Sequence, residues 1–265
     1  MQNRGTAVFL SVLTGLGFSL IAGCGMANTP LQVGTSLSGN WTFAPNNYGV
    51  VLNLGFTQGA YETVSAVARL NGVSCVSPAT DILLTGSVGG DNQMTLVSTP
   101  FNGTTLTLQG QVTADGKGIG AATWAFAGGN CSSMGKAAVT ATNYTAIDGT
   151  YTGTFVDASN DQLAVSALLE QTTQPDLNGQ FSLSGTASFP GNKCFVEQPT
   201  LTTSLVTGSS LSMSYTDTAS GAVLTAAGTF NGAATQLTIT SWSITGGACN
   251  GDSGTGTLTE QQQNL

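Results

Sequence analysis

The sequence predicts an all-β fold of two tandem antiparallel modules with about eight strands each. Three observations support this: apolar residues alternate with a period of two, turn residues separate the alternating runs, and the body of the chain repeats itself. The 40 threonines alternate with Val, Leu and aromatic residues, which is typical of half-buried strands. No convincing helical period occurs after residue 24.

The composition excludes several classes of function. The 265 residues contain no histidine, 13 Asp and Glu, and 5 Lys and Arg, which gives a formal net charge of −8. Without histidine, the chain cannot form a Ser–His–Asp triad or a metal site that needs imidazole. The basic clusters that bind nucleic acid are missing from the sequence, so we expect no nucleic acid partner.

The amino terminus has the features of a secretory signal peptide over residues 1–23, with Arg4 before an apolar stretch. This stretch ends in Leu-Ile-Ala-Gly-Cys at 20–24 and is similar to the lipobox of bacterial lipoproteins. The resemblance implies cleavage before Cys24 and a diacylglycerol group on its sulfur. Further acylation of the new terminus would make the anchor stable, since two or more chains are needed. An ordinary signal peptide with a coincidental cysteine is the alternative.

The same resemblance predicts a location. Gly25 follows the cysteine where Asp would retain a lipoprotein at the inner membrane, so we expect the outer membrane of a double-membraned bacterium. Residues 24–36 carry no charge and no clear period, and we interpret them as a lipidated tether of at most about 45 Å. We therefore expect an exported monomer that contacts the membrane through its lipid.

The body of the chain comprises two copies of one module, residues 37–142 and 147–260. The segments 124–131 and 242–249 both read W-x-x-x-G-G-x-C. Their offset of 118 holds without a gap back to Gly103. Agreement between the copies is internal support for a duplicated fold.

Alternating runs and turn signals predict the strands. In the first copy we expect strands at 39–43, 50–56, 61–70, 82–88, 92–98, 104–112, 118–127 and 135–142. In the second copy we expect them at 149–155, 162–170, 179–189, 201–207, 210–216, 222–230, 235–245 and 254–259. Asn-Gly, Asp-Gly and Gly-Gly pairs lie between many of these runs.

An even up-and-down meander can close into a barrel and so lose its free edges. The opening strands begin Gly39-Asn40-Trp41 and Gly149-Thr150-Tyr151, and the G-x-W pattern resembles the first strand of lipocalin- and avidin-type barrels. The tandem body also resembles secreted β-repeat proteins of bacteria. These resemblances favour up-and-down barrels, and a two-sheet sandwich is the alternative.

Within the seventh strand of each copy, the apolar residues switch between odd-numbered and even-numbered positions. Ile119 and Trp124 have opposite parity, and the second copy repeats the change before Trp242. Because side chains alternate strictly along a regular strand, we expect a β-bulge at about 121–123 and 239–241. The alternative is a strand that is covered on both faces.

The cysteines predict one disulfide in each module. An exported chain enters an oxidising compartment, and a duplicated unit should be self-contained, so we expect Cys75–Cys131 and Cys194–Cys249. In an eight-stranded meander each bridge would strap one mouth of its barrel, and it would contribute roughly 4 kcal/mol. The sequence has no C-x-x-C and no histidine, so we expect no metal and no cofactor.

The carboxylates show no catalytic pattern. Glu62, Glu170 and Glu197 do not occupy matching positions in the two copies, so we expect solvated surface acids. The oxygen-rich segment Asp157–Asp161 lacks the glycine and distal glutamate of an EF-hand loop, and we expect a turn there. Residues 250–254 also predict a turn.

The three tryptophans are the candidate ligand-stacking residues. Trp41, Trp124 and Trp242 could stack on sugar rings, yet two of them occupy equivalent positions, which favours a structural role in the core. The inward faces consist of aromatics, Leu and Val, so the interiors should be filled and leave little room for a ligand.

These observations predict a non-enzymatic, lipid-anchored envelope protein. It would be either a binding module or a structural surface protein, with a protein or carbohydrate partner that the sequence does not identify. Paired barrels on a lipid tether occur in bacterial surface lipoproteins, which is an analogy of fold. The alternative is an exported glycoside-type hydrolase that uses Asp/Glu pairs. A concave groove with two carboxylates near an exposed tryptophan would favour it.

Overall fold

The computed structural model describes residues 37–45, 51–58, 63–71, 75 and 81–261, and at 51–54, 57, 58 and 71 it describes the backbone alone. The predicted signal peptide, Cys24 and Glu62 lie outside the described residues. Within the described part, the chain is all-β apart from one short 3₁₀ helix. No helix in this part is long and apolar enough to cross a membrane.

The first sheet has nine antiparallel strands in the order β8-β7-β6-β5-β4-β3-β2-β1-β9. Their bounds are β1 Gly39–Ala44, β2 Val51–Gln58, β3 Thr63–Asn71, β4 Ile82–Val88, β5 Gln93–Ser98, β6 Thr105–Val112, β7 Ile119–Ala127, β8 Lys136–Ala138 and β9 Thr140–Tyr144, with the 3₁₀ helix at Ser132–Met134. This sheet is a nearly closed barrel.

The break between β8 and β9 divides the eighth strand that the sequence predicts. β8 pairs with β7, and β9 pairs with β1 on the opposite edge. Val139 stands at the break, where it is buried and its N–H donates to the carbonyl of Ala122 at 2.9 Å. The split strand therefore brings the two edges of the sheet together.

The second sheet is a closed barrel of eight antiparallel strands in sequence order. Its strands are β10 Asp148–Asp157, β11 Gln162–Gln171, β12 Leu183–Ser188, β13 Thr200–Thr207, β14 Ser210–Asp217, β15 Ala222–Phe230, β16 Gln236–Thr245 and β17 Ser253–Glu260. β17 pairs with both β16 and β10, which leaves no free edge in this sheet. The prediction of up-and-down barrels is confirmed over the sandwich.

Each barrel encloses its own apolar core. In the first barrel Trp41, Phe43 and Phe56 are fully buried, and ring centroids of neighbouring pairs lie 5.8 and 6.1 Å apart. In the second barrel Tyr151 takes the place of Trp41, and its hydroxyl donates to the carbonyl of Ala234 at 2.8 Å. Burial raises the pKa of Tyr151 to about 12, so this donor stays protonated. Among the described residues, large apolar side chains therefore lie in both interiors, as the sequence predicts.

Both predicted β-bulges are present. In β7, Thr123 pairs with Gln109 and Gly120 pairs with Gln111, so Ala121 and Ala122 together face Gly110. Ala121 has a positive φ of 47° within this bulge.

The second barrel has a β-bulge at the equivalent position, in β16. Ser241 pairs with Ala227 and Ile239 pairs with Gly228, so Thr240 is the extra residue in β16. Ile239 and Trp242 are consequently both buried in one core despite their opposite parity. The extra residue resets the phase as the sequence predicts.

The disulfides are Cys75–Cys131 and Cys194–Cys249, the two pairs that the sequence predicts. Their Cα atoms lie 5.2 and 5.1 Å apart. In each barrel one cysteine lies between the third and fourth strands and the other between the seventh and eighth. Each bridge therefore straps one mouth of its barrel.

One predicted strand is shorter than expected. The run 179–189 predicts a single strand, but β12 begins at Leu183, and Phe181 forms an isolated bridge to Val206. The carboxylate of Asp176 accepts the N–H groups of Asn178 and Gln180 at 2.8 and 2.9 Å. This Asp-centred turn uses the backbone that would otherwise extend the strand.

Candidate binding cleft between the barrels

The predicted stacking residues lie inside the barrels. Trp41, Trp124 and Trp242 are 0%, 2% and 4% exposed. The indole N–H of Trp41 donates to the carbonyl of Leu37, and that of Trp242 donates to the carbonyl of Thr255, both at 3.0 Å. Because no ring face is open at the surface, the structure assigns these tryptophans to the core and gives no support to sugar stacking.

Trp124 differs from its counterpart in the second barrel. Its ring packs edge-on against Phe126 with centroids 5.5 Å apart, while Trp242 stacks on Phe155 at 5.7 Å. Among the described residues, the Nε1 of Trp124 is the one buried side-chain N or O atom without a hydrogen-bond partner. The two copies therefore share the indole but not its hydrogen bond.

The described carboxylates have no exposed tryptophan beside them, because all three tryptophans are buried. Asp148 and Glu170 face each other across β10 and β11, and both are exposed. Glu197 lies on a different connection, before β13. A groove with two carboxylates near an exposed tryptophan would favour a glycoside hydrolase, and the described residues do not show that combination.

The oxygen-rich segments form turns, as the sequence predicts. The carboxylate of Asp157 accepts the N–H groups of Ser159 and Asp161, both at 2.8 Å. In the later turn the side-chain oxygen of Asn250 accepts the N–H of Gly246 at 2.9 Å. These side-chain oxygens therefore accept hydrogen bonds from the backbone N–H groups of the turns and stabilise the turns.

The described residues contain one cluster of metal-ligand types, formed by Cys194, Cys249 and Asp252. Its two sulfurs are joined in a disulfide. A thiolate is the form of cysteine that binds metal, so this cluster holds no thiolate ligand.

Asp217 is a buried carboxylate with a structural role. It is 1% exposed and accepts hydrogen bonds from the hydroxyl of Ser220 and the N–H of Val196, both at 2.6 Å, and from the N–H of Ala219 at 3.0 Å. The Ser220 hydroxyl and these N–H groups lower the pKa of Asp217 to about 2. The carboxylate thus ties the connection that carries Cys194 to the β14–β15 turn.

The outer wall of the first barrel contacts one end of the second. Asn40 lies on the outward face of β1 yet is only 2% exposed. Its Nδ2 donates to the carbonyl of Gly208 at 2.6 Å, and its Oδ1 accepts the N–H of Gly208 at 2.8 Å. This pair of bonds joins β1 to the β13–β14 turn of the other barrel.

Close glycine packing extends this contact. A Cβ atom added to Gly55 would lie 2.7 Å from the Cβ of Pro175, and one added to Gly179 would collide with the carbonyl oxygen of Val67. Gly179 also has a positive φ of 71°. Glycine at these two positions lets the β11–β12 connection approach β2 and β3 directly.

The end of β9 and the linker that follows it are fixed in the same region. The ring of Tyr144 packs edge-on against Phe230 with centroids 5.5 Å apart. The N–H of Thr145 donates to the carbonyl of Gly232 at 2.9 Å. The end of the second barrel opposite its disulfide is therefore covered by the first barrel and the linker.

A cleft of about 730 Å³ opens beside this contact, and we refer to it as the interbarrel cleft. Neutral amides, hydroxyls and backbone groups form most of its lining, and Lys117 is the one charged residue among the described lining residues. The lining comprises Ser38, Gly39, Asn40, Gly116, Lys117, Asn143, Tyr144, Thr145, Ala146, Gln171, Thr172, Thr173, Gln174 and Phe181.

Gln171 supplies a largely buried amide to the lining of the cleft. The residue is 8% exposed, and its Oε1 accepts the N–H of Ile147 at 3.1 Å. This bond fixes the orientation of the amide, because only the oxygen can accept. Its Nε2 makes no hydrogen bond within the described residues, so two N–H donors remain for a group inside the cleft.

Two other grooves lie on the outer wall of the second barrel. One, of about 770 Å³, is lined largely by outward threonines of β10, β16 and β17. The other, of about 400 Å³, crosses β13 to β16 among Ser, Thr and Ala residues. Both follow a continuous sheet surface, whereas the interbarrel cleft gathers side chains from both barrels and the linker.

Sequence reasoning did not identify the residues of the cleft. Asn40 and Gln171 look like ordinary polar residues of an alternating strand, and their burial depends on the contact between barrels. Tyr144 offered a signal, since it is an aromatic residue in the short segment between the two copies. Comparisons with protein-family models and with curated proteins find no match to this chain.

Proposed function

We propose that this protein is a non-catalytic, lipid-anchored protein of the cell envelope whose paired barrels form a binding module. The filling of both interiors is the observation that carries the proposal. Large side chains such as Trp41 and Tyr151 occupy the space that a barrel-type carrier would leave for its ligand. Binding would therefore use the outer surfaces and the interbarrel cleft.

The proposed anchor rests on the lipobox-like sequence at 20–24. Leu37 is 0% exposed, and its carbonyl accepts the indole N–H of Trp41. The tether of residues 24–36 would thus join the first barrel at a fixed point. In this arrangement the first barrel lies nearest the membrane, and the second is carried beyond it.

The anchor is tested by replacing its acceptor. We expect Cys24→Ser to abolish incorporation of labelled fatty acid and to move the exported protein from the membrane fraction to the aqueous fraction. The matched control is Ser36→Ala, at the other end of the tether, which should leave both properties unchanged. Metabolic labelling and membrane fractionation of the full chain provide the two readouts.

Cys24→Ser protein that still carries fatty acid and stays with the membrane would contradict the anchor. Wild-type protein that never incorporates fatty acid would contradict it equally.

A further inference from the structure

We infer that the interbarrel cleft binds a short, uncharged oligosaccharide. The inference deepens the proposed binding function and rests on it, but it does not depend on the lipid anchor. A volume of about 730 Å³ lies within the range of small-molecule sites. Junctions between domains are also frequent locations for such sites.

The free polar groups of the cleft match the chemistry of sugar hydroxyls. A hydroxyl both donates and accepts hydrogen bonds, and so do amide and hydroxyl side chains. Asn143, Thr173 and Gln174 line the cleft with side chains that make no hydrogen bond within the described residues. Gln171 adds its two Nε2 donors from a position more than nine-tenths buried. This amide nitrogen reaches the solvent of the cleft, where a ligand that offers an acceptor can take the place of water.

The aromatic residue at the end of β9 suits the apolar face of a sugar ring. Tyr144 is half-buried, and Phe230 holds its ring edge-on. Its hydroxyl makes no hydrogen bond within the described residues, so the ring presents an apolar face beside a polar tip. Phe181, which is 1% exposed, adds a second aromatic side chain to the lining of the cleft.

Charge favours a neutral ligand over an anionic one. None of the described lining residues is Asp or Glu, and Lys117 is the one cation. Asp115 in the same turn accepts the N–H of Lys117 at 3.0 Å, so a carboxylate lies near this lysine. The second module carries nine carboxylates and one lysine, which would repel a polyanion.

The experiment titrates the full chain with four defined probes by calorimetry. Cellotetraose, maltotetraose and chitotetraose as its N-acetyl derivative are uncharged, and tetragalacturonate is the anionic comparison. We expect saturable binding of at least one uncharged probe with a Kd of about 0.1–1 mM, and weaker binding of tetragalacturonate.

Two variants locate the binding. Gln174→Ala removes an exposed amide of the lining, and Tyr144→Phe removes a hydroxyl while keeping the ring that packs on Phe230. We expect each variant to weaken binding by about tenfold. Gln162→Ala is the matched control, because Gln162 is an exposed amide at the far end of the strand that leads to Gln171.

Three outcomes would overturn the inference. They are no binding of any uncharged probe, binding that both cleft variants leave unchanged, and tighter binding of tetragalacturonate than of every uncharged probe. None of them changes the fatty-acid labelling of Cys24, so failure of the saccharide site is distinguishable from failure of the anchor. Circular dichroism of each variant confirms that a loss of binding is not a loss of fold.

Discussion

Trp124 and Trp242 occupy equivalent positions in the two barrels but differ in their hydrogen bonding. The indole N–H of Trp242 donates to Thr255, while that of Trp124 has no partner among the described residues. A buried donor without an acceptor costs about 1–3 kcal/mol. The first barrel therefore retains a large apolar ring at the expense of an unsatisfied N–H.

This difference predicts unequal effects of one substitution. Trp242→Phe should destabilise the protein by about 1–3 kcal/mol more than Trp124→Phe, because it removes a hydrogen bond, whereas Trp124→Phe removes a buried donor that has no partner. Both variants lose a similar ring volume, so each controls for the other. Urea unfolding provides the measurement, and an equal or larger cost at Trp124 would contradict the assignment.

Asp217 makes stability depend on pH in the acidic range. Its pKa is about 2 in the folded protein, against an ordinary value of 3.8. A lowered pKa means that its contribution is fully present above about pH 4 and is lost as the pH falls through about 2. We expect wild-type stability to decline over this window and Asp217→Asn to decline less steeply.

The measurement is the free energy of unfolding of both proteins between about pH 5 and pH 2. Glu170→Gln, at an exposed position on β11, controls for the loss of one negative charge. Identical slopes for wild type and Asp217→Asn would contradict a carboxylate held by Ser220 and Val196.

At the scale of elements, the bulges explain two glycines that match between the copies. Gly110 faces the bulge in β7, and Gly228 faces the one in β16. A Cβ atom on Gly228 would collide with the carbonyl oxygen of Thr238 and lie 2.9 Å from the Cα of Ile239. The strand opposite the bulge has no space for a side chain.

Gly228→Ala should therefore destabilise the second barrel by about 1–3 kcal/mol, since backbone must move to admit the methyl group. Gly232→Ala is the matched control, because a Cβ atom there meets nothing within 4 Å. Thermal unfolding compares the two variants. A neutral Gly228→Ala variant would show that the bulge relaxes without cost.

The strands were predictable because their cause is local. Side chains on a barrel wall alternate between core and solvent, so period two appears in the sequence, and the extra residue of a bulge appears as a change of phase. The break at Val139 and the late start of β12 were not predictable. The first depends on pairing with two distant strands, and the second on the turn that Asp176 organises.

At the scale of the whole molecule, the two barrels are one packed unit. The contact between Asn40 and Gly208 joins residues 168 positions apart in the chain. A pattern with period two cannot report such a contact, which is why the cleft was not predictable from the sequence. The duplication predicts two modules, but it does not predict which residues join one module to the other.

Asn40→Ala tests this coupling. The variant removes two buried hydrogen bonds and leaves both the N–H and the carbonyl of Gly208 unpaired, so we expect a loss of about 1–3 kcal/mol. The unfolding transition should also broaden or divide, because the barrels would no longer melt together. Scanning calorimetry measures both effects. The control is Asn130→Ala, at an exposed loop position, which should change neither the stability nor the shape of the transition. If Asn40→Ala also changed neither of them, the barrels would be independent of each other.

The position of each disulfide has a consequence for a protein that meets proteases. The bridges span 56 and 55 residues, about half of each barrel. A single cut at an exposed turn inside that span, such as the one at Gly90, produces two peptides that remain covalently joined. Strand pairing on both sides of the cut holds the new termini in place. The barrel could thus be nicked and still persist as one body, and the damage would appear only after reduction and denaturation.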